Sequence, residues 1–442
     1  MNTKETLRIF FYVLSFSILI SCEKEIENNE INEIEALENT NPVITFKGIP
    51  VNHRFSATPE DLTKELTKVS LKEFYNKQKY ELSKKNNSSA TFIETDLPEN
   101  NLLAEAALNV SSEFPFNSAE ENNVYLDELL KEKIELLNAP NTDNESIQRI
   151  NLLIEKELEK AQSNTEQDQV AKLDMIKNDF SDLSEEEISE HLETINEYYL
   201  LNFEYEALKE LATNEENIKS SVSKKQQENG ISFKIDYDDV SGAYDHEQCV
   251  LSSSGYNTAA GVYALAQASL AAVAATEAYF YYANAESTYR DAFRHIFWSG
   301  LLAYHYPSVS SKVSPMNFAR AIGNANESCR DVNPVDAEQM DYHNNQVGRD
   351  LWDDNTSYKK IFGATIGLNE VSVSNLKVLS FNKVVRGCFV PKFYGSNWPF
   401  NKRDYNLSEE AVLFKIKLYV PFDRATYFLG SYIWNGTDSC IY

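Results

Sequence analysis

A mainly α fold follows from three features of this 442-residue sequence. Apolar residues recur at three- and four-residue spacing through most of the chain before Lys360. Helix-start signals, such as "TPED" and "SEEE", stand just ahead of those stripes. Runs rich in β-branched and aromatic residues gather after Lys360. The expected architecture is an acidic helical N-terminal region followed by a mostly helical C-terminal domain with a partly β tail.

The first element is "MNTKETLRIFFYVLSFSILISC". Lys4, Glu5 and Arg8 precede an apolar run from Ile9 to Ile20, too short for a stable membrane span. It reads as the h-region of an export signal, residues 1–21. Leu19-Ile20-Ser21-Cys22 resembles the lipobox of bacterial lipoproteins. That resemblance implies cleavage before Cys22 and lipid on its thiol, with several acyl chains anchoring the protein where one is marginal. Residues 22–42 form a tether with seven acids and one lysine between Glu23 and Pro42. It resembles the acidic spacer of lipoproteins of the Bacteroidetes type. The expected location is the outer membrane, on its periplasmic face or at the cell surface.

The formal net charge of -27 argues against general nucleic-acid binding, which needs phosphate neutralisation. Beyond Cys22 there are four cysteines: Cys249, Cys329, Cys388 and Cys440. In an exported chain an even number suggests disulfides, with three pairings open. No CxxC occurs, so zinc held by these thiols is a poor fit.

Residues 43–213 read as a helical bundle or stalk. "TPEDLTKEL" offers Thr58 as N-cap, Pro59 at the first helical position and Asp61 in the first turn. Val124 to Leu137 carries the stripe Leu126, Leu129, Leu130, Ile134, Leu137, and Ile147 to Ala161 repeats it through Ile150, Ile154 and Leu158. Ser184 and Glu187 make a capping box before a helix running through Ile188 and Tyr199 towards Leu211. "NEENIKSSVSKKQQENG", 214–230, is almost devoid of apolar residues and reads as a linker.

The C-terminal domain, 231–442, opens with "ISFKIDYDDV", expected as a short strand. Four helices should follow: Asn257 to Tyr282, Thr288 to Tyr304, one started by Ser314-Pro315, and one started by Asn333-Pro334 that reaches about Trp352. The stretch 259–283 is the nearest thing to a second membrane span. With Gln267, Glu277 and much alanine, it reads instead as a buried or half-buried helix. "EVSVSNLKVLSF", "VVRGCFVPKFY" and "ATYFLGSYIW" suggest strands or irregular segments, and "SEEAVLFKIKLY" a last helix.

The chemistry concentrates in two helices. In "YRDAFRHIFWSGLLAYH", Asp291 and His295 are four apart and share a face, with Arg294 and Trp298 on the next. "MDYHNNQVGRD" supplies Asp341, His343, Asn344, Asn345 and Arg349, and Gly348 permits close helix contact. Asp341 and Asn345 share a face, whereas Asp341 and His343 do not. Glu327 stands near the end of the intervening helix. A buried carboxylate–imidazole pair can bind a metal, act as a base with its orienter, or satisfy its own hydrogen bonds. "YDHEQC" adds Asp245, His246 and Glu247, as a stray metal site or an exposed turn held by a disulfide.

These motifs together resemble a poorly characterised bacterial domain of the DUF type, found in secreted, lipoprotein and toxin-like proteins. Asp291, Arg294, His295 and Trp298 fit its D-A-x-R-H-x-x-W helix, Glu327 its alanine-His-Glu, and Asp341, His343, Asn344, Asn345, Gly348 and Arg349 its M-D-x-H-N-N-x-x-G-R. Asn326 stands where the middle histidine would be, which puts any activity that needs that histidine in doubt. The resemblance covers about residues 285 to 352 and implies no settled reaction.

The leading expectation is a metal-dependent hydrolase-like domain. One divalent ion, zinc favoured, would sit on Asp291, His295, Glu327 and His343. His295, His343, Asp291, Glu327 and Asp341 are the catalytic candidates, and Arg294, Arg349, Asn344 and Asn345 the substrate-binding ones. The alternative is a non-enzymatic envelope module that binds a protein partner or glycan, its polar cluster being structural through Asp291–Arg349 and Glu327–Arg294 pairs. A toxin-like effector is a third reading. HExxH, GxSxG, a phosphate-binding glycine-rich loop, an EF-hand and the dinucleotide fingerprint are all missing.

Overall fold

The helical stripes of the sequence become helices, and the caps at Thr58 and Ser184 form as their residue types require. The computed structural model describes residues 41–63, 73, 75–77, 100–117, 123–139, 143–229, 241–280, 289–309, 311–330, 335–361, 363–385, 388–390 and 412–414. The expected signal, the tether as far as residue 40, "ISFKIDYDDV", "ATYFLGSYIW" and Cys440 lie outside the described residues.

In chain order the elements are β1 (Val43–Phe46), β2 (Ile49–Asn52), α1 (Pro59–Thr63), α2 (Asn100–Ser111), α3 (Val124–Asn138), α4 (Asn144–Asp179), α5 (Glu185–Glu190) and α6 (Leu192–Asn229). Then come α7 (Ser241–Ser254), α8 (Ala259–Phe280), α9 (Tyr289–His305), α10 (Val313–Ser328), α11 (Val335–Asn355), β3 (Ser357–Ile361), β4 (Ala364–Asn369), α12 (Val373–Val385), β5 (Cys388–Val390) and β6 (Val412–Phe414). The fold is mainly α with short strand pairs. β1–β2 and β3–β4 are antiparallel, and β5–β6 is parallel.

At the start of α1, Thr58 and Asp61 cap each other reciprocally: Asp61 N donates to Thr58 Oγ1 and Thr58 N to Asp61 Oδ2. Ser184 and Glu187 form the full capping box of α5. Several elements depart from expectation. The helix after Ser184 breaks at His191 and resumes as α6, which continues as helix through the expected linker to Asn229. Ser314 and Pro315 lie inside α10, which starts at Val313 without a side-chain cap bond. "EVSVSNLKVLSF" forms α12 rather than a strand, because Ser372 turns the chain: its Oγ accepts from Asn375 N and its carbonyl from Leu376 N. Val412–Phe414, expected in a helix, pairs with β5. The hairpin β1–β2 stands where only helix was expected, its turn made by Lys47 and Gly48 at φ 48° and 88°.

Pro42–Tyr442 is one compact unit. Among the described residues, one hydrophobic cluster joins buried side chains from Phe46 to Val384. α8 packs on α2, α3, α6 and α9. By length and composition Ala259–Thr276 is apolar enough to cross a membrane, and 61 % of it is buried within the fold. Polar bonds tie early to late elements as well. Asn117 Nδ2 donates to the Tyr304 carbonyl at 2.7 Å, and Lys377 pairs with Asp127 at 2.7 Å. Glu204 on α6 accepts from the N–H groups of Ala259 and Ala260, at 2.7 and 2.8 Å, and so caps α8. Cys249 on α7 is bonded to Cys329 at the end of α10, closing one of the pairings the sequence leaves open.

The tightest packing is α9 on α11. A methyl group at Gly348 would lie 2.0 Å from the Ile296 carbonyl oxygen, and one at Gly300 would lie 3.0 Å from the Gly348 carbonyl oxygen. The two backbones touch, which only glycine permits. We therefore expect Gly348→Ala to lower stability by about 3 kcal/mol, read as a fall in the urea midpoint. An unchanged midpoint would remove the backbone contact.

Glu370, after β4, is buried against Asn117, Trp352 and Lys172. Burial pushes its carboxyl from an ordinary 4.5 up to about 7, against the pull of Lys172. Folding thus takes up a proton between these values, and stability should fall as pH rises through that window. Glu370→Gln should be more stable than the parent at pH 8, by on the order of 3 kcal/mol, and equal to it at pH 4. Melting curves at the two pH values check this, and equal shifts at both would refute it.

Candidate metal centre

α9 is apolar on nearly every face, so the polar groups it carries are taken into the core with it. Asp291, in its first turn, and His295, one turn on, project the same way. α11 crosses α9 at Gly348, and the same face of α11 carries Asp341 and Asn345 two turns and one turn before the crossing. The crossing thus brings a carboxylate from each helix to one imidazole. His295 Nε2 lies 3.3 Å from Asp341 Oδ1 and 3.6 Å from Asp291 Oδ1. One ligand atom each from Asp291, His295 and Asp341 falls within 4.8 Å of the others, and all three residues are buried. Among the described residues this is the one such group that could hold a metal ion.

The other ring nitrogen fixes the tautomer. His295 Nδ1 lies 3.1 Å from Asn345 Oδ1, while Asn345 Nδ2 points to Glu327 Oε1 at 3.5 Å. The amide oxygen can only accept, so Nδ1 carries the proton and Nε2 keeps its lone pair. Burial pushes the imidazole below its ordinary value, against the pull of Asp291 and Glu327, so the neutral ring is favoured. A lone pair therefore faces two carboxylate oxygens. His295 Nε2 and Asp341 Oδ1 have no hydrogen-bond partner among the described residues. Three buried acceptors turned on one another are unfavourable unless something positive lies between them. A metal ion satisfies all three. The other remedy is a proton on Asp341, whose carboxyl is pushed up by burial and by the charge of Asp291.

Further groups hold the ligands. Arg294 Nη2 donates to Asp291 Oδ1 at 2.6 Å. Arg330, just past α10, reaches Asp341 Oδ2 at 3.2 Å and Glu327 Oε2 at 3.6 Å. Glu327 also accepts from Asn326 Nδ2 at 2.9 Å, and Asn326 Oδ1 in turn accepts from His246 Nε2 at 3.0 Å. A chain of bonds thus runs from α7 through the end of α10 to His295, beside the Cys249–Cys329 bond.

Not every candidate joins this group. Glu327 approaches the Nδ1 side of His295, at 3.9 Å, and stands behind the ring rather than among the three. His343 is buried two residues past Asp341, about 200° further round α11, and lies outside the group of three; Asp341 stands in its place. Arg349 sits a turn beyond Asn345, donates to Gln346 Oε1 at 2.7 Å and packs by Gly323. Burial and the charge of Arg320 push it down to about 10. Asn344 is fully buried. Trp298 donates to Ser269 Oγ and joins α9 to α8. The expected Asp291–Arg349 and Glu327–Arg294 pairs are replaced by Arg294–Asp291 and Arg330–Glu327, since Arg294 lies one turn from Asp291 and Arg330 one turn from Glu327. Asp245-His246-Glu247 lies in α7, so the expected exposed turn is a helix. Arg330 went unnoticed in sequence, where its i,i+3 spacing from Glu327 was the available signal.

No curated protein and no solved structure matches the chain. One family does: residues 256–371, from the turn before α8 to the segment after β4, carry a DUF6973 domain, a domain of unknown function that contains the whole Asp291–His295–Asp341 group.

Proposed function

We propose that this chain is a lipid-anchored envelope protein whose α8–α12 region is a metal-dependent hydrolase. The observation that carries the reading is the His295 lone pair aimed, with two carboxylate oxygens, at one shared point. Asp291, His295 and Asp341 would hold the ion, and zinc suits one imidazole with two carboxylates. Such an ion supplies an acidified water and polarises the bond to be cut. The protein's own groups do the rest. Asn345 keeps Nε2 of His295 unprotonated, Arg330 turns Asp341, and Glu327 holds the Asn345 amide in register. Three protein ligands leave a position for water or substrate.

A second reading is favoured by the depth of the group: Asp291, His295 and Asp341 are 5 %, 3 % and 1 % exposed. In it the charges only brace α9, α10 and α11, a proton on Asp341 replaces the ion, and the protein is a non-enzymatic module for an envelope protein or glycan. Metal content separates the two. The full chain should bind one equivalent of zinc or a similar ion and gain about 3 kcal/mol at a hundredfold excess over Kd. His295→Ala and Asp341→Asn should abolish both effects. Absence of uptake and of any melting shift with zinc, manganese or iron would sink the hydrolase reading.

The anchor is proposed from Cys22 and the preceding apolar run. The N-terminal peptide of the protein taken from membranes should begin at Cys22 and carry acyl mass, and in Cys22→Ala that mass should be lost. A parent whose N-terminal peptide carries no acyl group would argue against lipid at this position.

A further inference from the structure

Lys172 on α4 turns its amine inward, onto an amide. Its Nζ donates to Asn117 Oδ1 at 2.6 Å and meets Asp168 Oδ2 at 2.7 Å. Asp168 is the solvent-facing partner, 44 % exposed against 15 % for Lys172, and Asn117 is buried. Cγ of Asn117 lies one C=O bond behind Oδ1, so Nζ stands at most about 4 Å from it. That is close to the separation from which a held nucleophile attacks, about 3–3.5 Å. The amide is fixed as well, because Asn117 Nδ2 donates to the Tyr304 carbonyl at 2.7 Å. Glu370, also buried, packs against the Asn117 amide and within the field of the Lys172 charge. Asn117, Lys172 and Glu370 line one cavity of about 30 Å³, together with the apolar side chains of Leu173, Ile176 and Leu368. It has room for a molecule the size of water or ammonia.

We propose that Lys172 and Asn117 join in an isopeptide bond, which the folded chain forms by itself with Glu370 as proton carrier. Nζ bonds to Cγ, the Cγ–Nδ2 bond breaks, and Nδ2 is the leaving group. Nζ sheds two protons in passing from ammonium to amide, and Nδ2 departs with both as an ammonium ion. Nothing is oxidised or reduced, no co-reactant is consumed, and Glu370 ends as it began. A carrier must take up a proton and give it back, which suits a carboxyl that burial has raised to about 7. The cavity leaves room for one bridging water between the carboxyl and the amine. Free amines and carboxamides in water scarcely react, because they are never held in contact; here the fold holds them. The apolar walls keep bulk water from competing for the carbonyl carbon. The bond closes a covalent loop between residues 55 apart in sequence, tying the segment after α2 to α4. It shares no residue with the Asp291–His295–Asp341 group and stands independently of the metal reading.

Mass spectrometry of the full chain tests this, on tryptic peptides made after denaturation and reduction of the Cys249–Cys329 bond. The expected result is a branched species joining the peptide that holds Asn117 to the one that holds Lys172. It should be lighter than the pair by one ammonia, uncut after Lys172, and branched at these two side chains on fragmentation. Lys172→Arg, which keeps the positive charge beside Asp168, should lack it. Glu370→Gln, with both reacting groups in place, should yield on the order of a hundredth of the parent's level in freshly made protein. Separate parent peptides of unchanged mass would reduce the contact to a hydrogen bond and overturn the proposal, a result that needs no variant to fold. Branching at another lysine or asparagine, or to the same level in Glu370→Gln, would overturn it too. Loss of the bond from Glu370→Gln lowers stability equally at pH 8 and pH 4, so the difference between the two shifts stays as expected above.

Discussion

The backbone contact between α9 and α11 at Gly348 is the constraint on which the rest of the site depends. Packed helices ordinarily keep their axes about 8–10 Å apart, with side chains filling the space. Here Ile296 and Gly348 let main chain meet main chain. His295 is the residue before Ile296, and Asn345 is three before Gly348, so the contact point sets the distance between imidazole and amide. Asp291 and Asp341 lie a turn further out on the same two faces and inherit their separation from it. A larger residue at the crossing would part the carboxylates from the ring.

That closeness creates the electrostatic difficulty of the site. Acids placed together away from water raise one another's proton affinity, as Glu327 and Asp341 show. Stability alone would favour apolar residues at such positions. Instead α9, α10 and α11 each bring a carboxylate, and Arg294 and Arg330 pair with them from the edge. Positions that work against folding while every neighbouring position favours it are where function is to be sought.

Much of this was legible in the chain, and what was not has particular reasons. The N-cap at Thr58 and the capping box at Ser184 are legible because they are local: four residues decide each. The Asp291–His295 and Asp341–Asn345 pairs follow from helical spacing, and the close contact at Gly348 from a glycine three past Asn345 on the same helix. Periodicity also said that Asp341 and His343 face different ways. It could not say which face meets α9, since that depends on a crossing between residues some 50 apart in sequence. α12 hides in the sequence because Val371 and Val373 alternate with serines as a strand would, while Ser372 acts as a cap once Leu376 and Phe381 find the core. The Cys249–Cys329 bond spans 80 residues, and nothing in the spacing of the thiols distinguishes it.

The carboxylate of Glu204 has a consequence for how the chain must be made. It belongs to α6, yet it ends the row of unmet N–H groups on α8, the alanine-rich helix that begins the DUF6973 region. Without α6, and without α2 beside it, α8 would lack its cap and turn its buried alanines to water. A fragment cut at the family boundary therefore lacks part of its own foundation. Chain order is favourable, because α2 and α6 precede α8 and so emerge before it, whether from the ribosome or on the far side of a membrane. The acidic first half is then a template waiting for the helix it will close, and the sequence of synthesis becomes a sequence of assembly.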